Sequence, residues 1–271
     1  MSIAVEHWSP GGNTKGMILS GWIDDRSALA IPSKHCGNVI VTKIIMTNFL
    51  NWSLINSVFF INYLSHRYLG NIVMANFFVV SRAKPKSGYA STGLKHLKTL
   101  AEFSKANGAV HAEVGMIQTG LNVGSLVALQ FFEKMAGIED IYDKLLTQPT
   151  YEELFNTGNL ELTGRAIGRI HHRDSVSSDN PKYIVLTKFS SKTEMLTEAK
   201  QVMDIFLKNG ALSCGYATFG AGDSAGARIM GVRYPSLDSI QTAYEAARSS
   251  DVYASALSDV ELHFRNLVRL G

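Results

Sequence analysis

The sequence predicts an α+β protein in which residues 74–271 form two tandem βαββαβ units, packed sheet to sheet as a pseudo-dimeric barrel. Three observations predict it. First, Asn107-Gly108-Ala109-Val110 recurs as Asn209-Gly210-Ala211-Leu212, an offset of 102 residues, and the same offset carries Gly124 to Gly226, Phe132 to Tyr234, Ile138 to Ile240, Tyr142 to Tyr244 and Tyr151 to Tyr253. Near each copy's end the offset shortens to 100, matching Glu161, Leu162, Arg165 and Arg169 with Glu261, Leu262, Arg265 and Arg269. Second, each copy passes through the same succession of strand-like and helix-like periods. Third, a four-stranded antiparallel sheet with both helices on one face leaves its other face bare. A fused second copy covers that face, giving a barrel with helices outside.

Each unit opens on a β-rich run, Asn76 to Arg82 and then Tyr183 to Phe189. A helix follows, with apolar residues at helical spacing: Leu94, Leu97, Leu100 and Ala101 in the first copy, and Met195, Leu196, Ala199, Val202, Met203 and Phe206 in the second. Asn-Gly after each helix is a stop signal, because both residues tolerate the left-handed conformation. Two strands joined by a glycine-rich turn come next, Ala109 to Thr119 with Gly124 to Phe132, and Ala211 to Phe219 with Gly226 to Tyr234. Gly220 to Gly226 is therefore a hairpin connection, since a nucleotide-binding loop needs a helix after it. Ile138, Ile141, Tyr142 and Leu145 mark the second helix, matched by Ile240, Ala243, Tyr244 and Ala247; both tyrosines read as packing. Leu160 to His171 and Val260 to Leu270 close the units as strands. Residues 173–181, rich in Ser, Asp and Asn, form a linker between a first unit at 74–172 and a second at 182–271.

Residues 1–73 are a different kind of sequence. The stretch 44–65 has no charged residue and is long enough to cross a membrane as a helix, yet it carries Asn48, Asn51, Asn56 and Asn62, each costly in hydrocarbon. Three readings stay open: a start site placed too early, a membrane or targeting segment, and a true extension. Membrane contact is expected only if 44–65 is a true segment. The net charge of +3, without a basic stripe carrying interleaved aromatics, argues against nucleic acid. Cys36 and Cys214 lie in unrelated segments, which points to a reducing, cytoplasmic setting, with Cys214 a core residue.

On the repeated elements, 74–271 resembles the ferredoxin-like dimeric α+β barrel superfamily, at the level of topology and duplication. That superfamily includes the antibiotic-biosynthesis-monooxygenase-like, stress-responsive A/B-barrel and EthD-like families. The resemblance implies ligand binding, or chemistry needing little cofactor, in a cavity beside the sheet.

The last strands hold the candidate ligand residues. Leu162, Gly164, Ala166, Gly168 and Ile170 alternate with Arg165, Ile167, Arg169 and His171; Leu262, Phe264, Asn266, Val268 and Leu270 alternate with His263, Arg265, Leu267 and Arg269. The apolar and small set suits the helix-packed face, so Arg165, Arg169, His263, Arg265 and Arg269 are expected on the face toward the other unit, holding an anionic or carbonyl-bearing metabolite. The bland alternative pairs these arginines with carboxylates or leaves them at a solvated rim. His111 and Glu113 share one strand face, where the second copy has Ser213 and Gly215, and are the candidate proton-transfer pair. No spacing suggests a metal site, and no cofactor is implied. Two functional classes follow: a small-molecule enzyme or binder, and a non-catalytic binding or assembly module. Oligomeric state is left open.

Overall fold

The computed structural model describes residues 74–271 throughout and, before them, only four strands. The chain divides into two compact units, residues 1–72 and 73–271. In the first, β4 (Val39–Thr47) pairs antiparallel with β1 (Val5–His7), β2 (Ala28–Ala30) and β3 (His35–Cys36). The expectations for 1–73, the stretch 44–65 included, otherwise lie outside the described residues. Among the described residues no helix is long and apolar enough to cross a membrane.

The second unit is an eight-stranded antiparallel barrel with six helices. Its first half runs β5 (Phe77–Pro85), α1 (Ala90–Ala106), β6 (His111–Ile117), β7 (Leu126–Phe132), α2 (Met135–Leu146), α3 (Pro149–Asn156) and β8 (Leu160–Ser175). The other half repeats the order with β9 (Tyr183–Ser191), α4 (Leu196–Lys208), β10 (Ser213–Ala221), β11 (Arg228–Tyr234), α5 (Leu237–Arg248), α6 (Asp251–Ser258) and β12 (Val260–Leu270). Each half has the ferredoxin-like strand order, β8-β5-β7-β6 and β12-β9-β11-β10, and the edges pair β6 with β12 and β8 with β10 to close the ring. Closure leaves no free edge strand in the barrel. Gly108 and Gly210, with φ of 116° and 104°, make the left-handed turns that end α1 and α4.

Three elements exceed the sequence expectation. The short helices α3 and α6 had no signal separate from the helices before them. Strand β8 runs on to Ser175, because its end pairs with β10 across the join between halves, Arg173 opposite Gly215. The polar residues that look like linker thus begin as sheet.

Three apolar clusters form the core. One lies under α1, α2 and α3, and a second under α4, α5 and α6. The third fills the barrel lumen and includes Phe78, Leu129, Phe131, Ala166, Ile184 and Val268. This third cluster reverses the predicted faces of the last strands. Ala166, Gly168 and Ile170 point into the lumen, while Ile167 packs against the helix layer with Arg165 on the same side. The same holds for Phe264, Val268 and Leu270 against Leu267 and Arg265. The reason is space. The interior of an eight-stranded barrel is filled by side chains, with room for at most one small ligand, and a Cβ at Gly168 would stand 2.2 Å from the Phe78 ring. Arginine stems fit instead along the edge of the helix layer, with their heads toward water.

Candidate functional site

Arg165 and Arg265 occupy equivalent places, each on a last strand opposite a hydroxyl residue of the first strand: Arg165 faces Ser81, and Arg265 faces Thr187. Arg165 Nε donates to Ser81 Oγ at 2.9 Å, and its guanidinium carbon lies 4.5 Å from the centre of the Tyr142 ring. Arg265 donates to Thr187 Oγ1 at 3.4 Å and to the Tyr253 hydroxyl at 2.9 Å, and lies 5.0 Å from the Tyr244 ring centre. Tyr142 and Tyr244 pack as expected, but as platforms for cations. Burial pushes both phenols up, against the downward pull of the adjacent arginine. Neither arginine has a carboxylate partner among the described residues.

Behind these matching arginines the halves differ. In the first, Gln130 donates to Ser104 Oγ at 2.8 Å and accepts from the Tyr142 hydroxyl at 3.3 Å, so a hydrogen-bonded network fills the space between sheet and helices. At the offset of 102 the second half has Val232 and Phe206, so that network is gone. It also has Ala243, Ala247 and Ala256 in place of Ile141, Leu145 and Leu154. Of these, Ala256 lines a cavity together with Phe206. This cavity of about 50 Å³, open on one side to solvent, lies between β9, β11, β12 and the helices. Its wall is apolar, including Phe189, Val202, Met230 and Ala256, and its polar end is Arg265, Thr187, Tyr244 and Tyr253. Tyr234, fully buried in the same cluster, has a hydroxyl with no hydrogen-bond partner among the described residues. Burial, then Tyr244, pushes this phenol far above its usual range.

The remaining predicted residues lie elsewhere. Arg169 and Arg269 are exposed, and His263 is exposed and shares a 2.7 Å hydrogen bond with Ser190 Oγ. His111 and Glu113 face the lumen, with His111 Nε2 3.4 Å from Glu113 Oε2. Glu113 is held chiefly by Arg233 of β11, whose Nε donates to its two carboxylate oxygens at 3.0 and 3.1 Å and whose Nη2 donates to Oε1. Burial raises the Glu113 pKa, but Arg233 and His111 together outweigh it and hold the carboxyl at about 2. Such a carboxylate is a weak base, suited to orienting a neighbour and poorly suited to taking a proton. Arg233 carried a signal in the sequence, since the offset of 102 sets it against Phe131. Among the described residues no group of three His, Cys, Asp or Glu side chains gathers as a metal site.

The backbone is similar to those of proteins of known structure. One is named as a monooxygenase, from Fusobacterium nucleatum subsp. nucleatum, with a TM-score of 0.55 and 9% identity over 72% of this chain and 93% of that one. Another, also named as a monooxygenase, is from Lactobacillus acidophilus, with a TM-score of 0.52 and 12% identity over 73% and 94%. A third is the chlorite dismutase of Candidatus Nitrospira defluvii in complex with imidazole, with a TM-score of 0.51 and 9% identity over 74% and 94%. These likenesses show the dimeric α+β barrel fold. No curated protein matches the sequence. The family described as Domain of unknown function (DUF6854) matches residues 75–170 and 181–270.

Proposed function

Because the chain belongs to the DUF6854 family, which spans both halves of the barrel, we propose its function from the cavity itself: it binds a small, mostly apolar molecule bearing an anionic or carbonyl group between the sheet and helices of its second half. One observation carries this reading. Arg265, free of any carboxylate among the described residues, stands at the polar end of an apolar cavity, with Tyr244 and Tyr253 beside it. A guanidinium held by two hydroxyls keeps donors to spare for an oxygen of the ligand. Similar folds named for work on small molecules, such as a monooxygenase and a chlorite dismutase, lend support. The two halves are read as a tandem duplication in which the second copy opened this space, and a cytoplasmic setting goes with that reading.

The test uses 8-anilinonaphthalene-1-sulfonate, a probe with an apolar body and one anionic group, titrated by fluorescence into the folded protein. Arg265→Met should weaken binding by about 1.5–3 kcal/mol, the range of a charge-assisted hydrogen bond. Ala256→Leu, which restores the residue found in the first half, should fill the cavity and abolish binding. Unchanged titrations in both variants would refute the site.

A further inference from the structure

The lumen holds a second cavity, separate from the first and lined by residues from both halves. A cavity of about 50 Å³, partly open to solvent, lies among Phe78, Leu129, Ile184, Leu186 and Ile229, with Arg173 and Arg233 at its polar end. The second half makes this room. Gly215 stands where the first half has Glu113, and Gly231 where it has Leu129. A Cβ at Gly215 would have its nearest neighbour, the His172 carbonyl oxygen, at 3.8 Å, so open space lies beside that glycine.

The charges do not balance. Arg233 is buried and spent on Glu113. Arg173 has no carboxylate partner among the described residues. Its guanidinium carbon lies 5.2 Å from the Phe131 ring centre, against 5.4 Å for that of Arg233, so both cations share one ring. Arg173 is exposed at the mouth of the cavity, and the burial it does have, then the proximity of Arg233, push its pKa below the usual arginine value. Two guanidinium groups against one carboxylate leave a single positive charge over an apolar floor.

We propose that the lumen binds a short-chain monocarboxylate, with its carboxylate on Arg173 and its hydrocarbon tail in the space beside Gly215 and Gly231. A monoanion matches the surplus of one charge, and the planar guanidinium fork matches a carboxylate. The apolar floor takes the tail and offers nothing to a fully hydrated dianion such as phosphate.

The experiment is calorimetric titration of the full chain with hexanoate, 1-hexanol and inorganic phosphate, in an Arg265→Met background so that the sheet–helix cavity does not compete. Hexanoate should bind, with hexanol and phosphate at least tenfold weaker. Adding Arg173→Met, a change at the open mouth, should weaken hexanoate roughly tenfold to a hundredfold. Gly231→Leu should abolish binding by filling the lumen, provided its thermal melt stays cooperative; if it does not fold, the Arg173 variant decides. Absence of hexanoate binding, equal binding after Arg173→Met, or equal binding of hexanol would each overturn the proposal.

Discussion

At the scale of single residues, the differences between the halves carry the chemistry. Phe132 and Tyr234 stand in matching positions and differ by one oxygen, which in Tyr234 is buried without a partner among the described residues. An unsatisfied buried hydroxyl costs about 1–3 kcal/mol. Tyr234→Phe should therefore stabilise the ligand-free protein by about that amount, measured by urea unfolding. A loss of stability would mean that the hydroxyl has a partner after all. Residue type alone did not place Arg165 and Arg265. Their spacing put them on one strand face, but which face is inner was decided where Gly168 meets the Phe78 ring across the lumen.

At the scale of elements, the helices of the two halves keep the same order but differ at their ends as well as on their buried faces. Helix α5 is capped by Ser236, whose Oγ accepts from the Ser239 amide at 3.1 Å. The matching residue before α2 is Lys134, in the extended conformation a cap requires but with no side-chain bond to offer. Lys134→Ser should raise stability by about 0.5–1 kcal/mol, and Ser236→Ala should lower it by about 1 kcal/mol; equal melting curves for all three proteins would count against the cap assignment. The strands were legible from their period of two, and the long helices from theirs of 3.6. Helices α3 and α6 were not, because eight residues give only two turns and little periodicity to read.

At the scale of the whole molecule, the Glu113–Arg233 pair ties β6 of the first half to β11 of the second through the lumen. Removing one partner strands a buried charge, so Glu113→Gln should destabilise by roughly 3–5 kcal/mol. The pH dependence has a definite sign. Glu113 has a folded pKa of about 2, below the ordinary 4.5. Its contribution is complete above about pH 4.5 and is lost as pH falls toward 2. Acid titration of stability should show a loss in that window that is absent from Glu113→Gln; parallel acid limbs in the two proteins would show that the pair contributes nothing.

The sequence by itself determined the succession of strands and long helices, the matching of the halves and the need for each sheet to cover its bare face. These follow from local periods and from the register of repeated residues, such as Gly108 with Gly210 and Arg165 with Arg265. Only the tertiary structure decided where the sites lie. Glu113 and Arg233 are 120 positions apart and meet because barrel closure brings their strands across one lumen. The cavity beneath Arg265 is lined by side chains from β9, β11, β12 and the helices over them, with Ala256 where the first half has Leu154. Volume and charge balance are sums over residues from many elements, so no single stretch of sequence displays them.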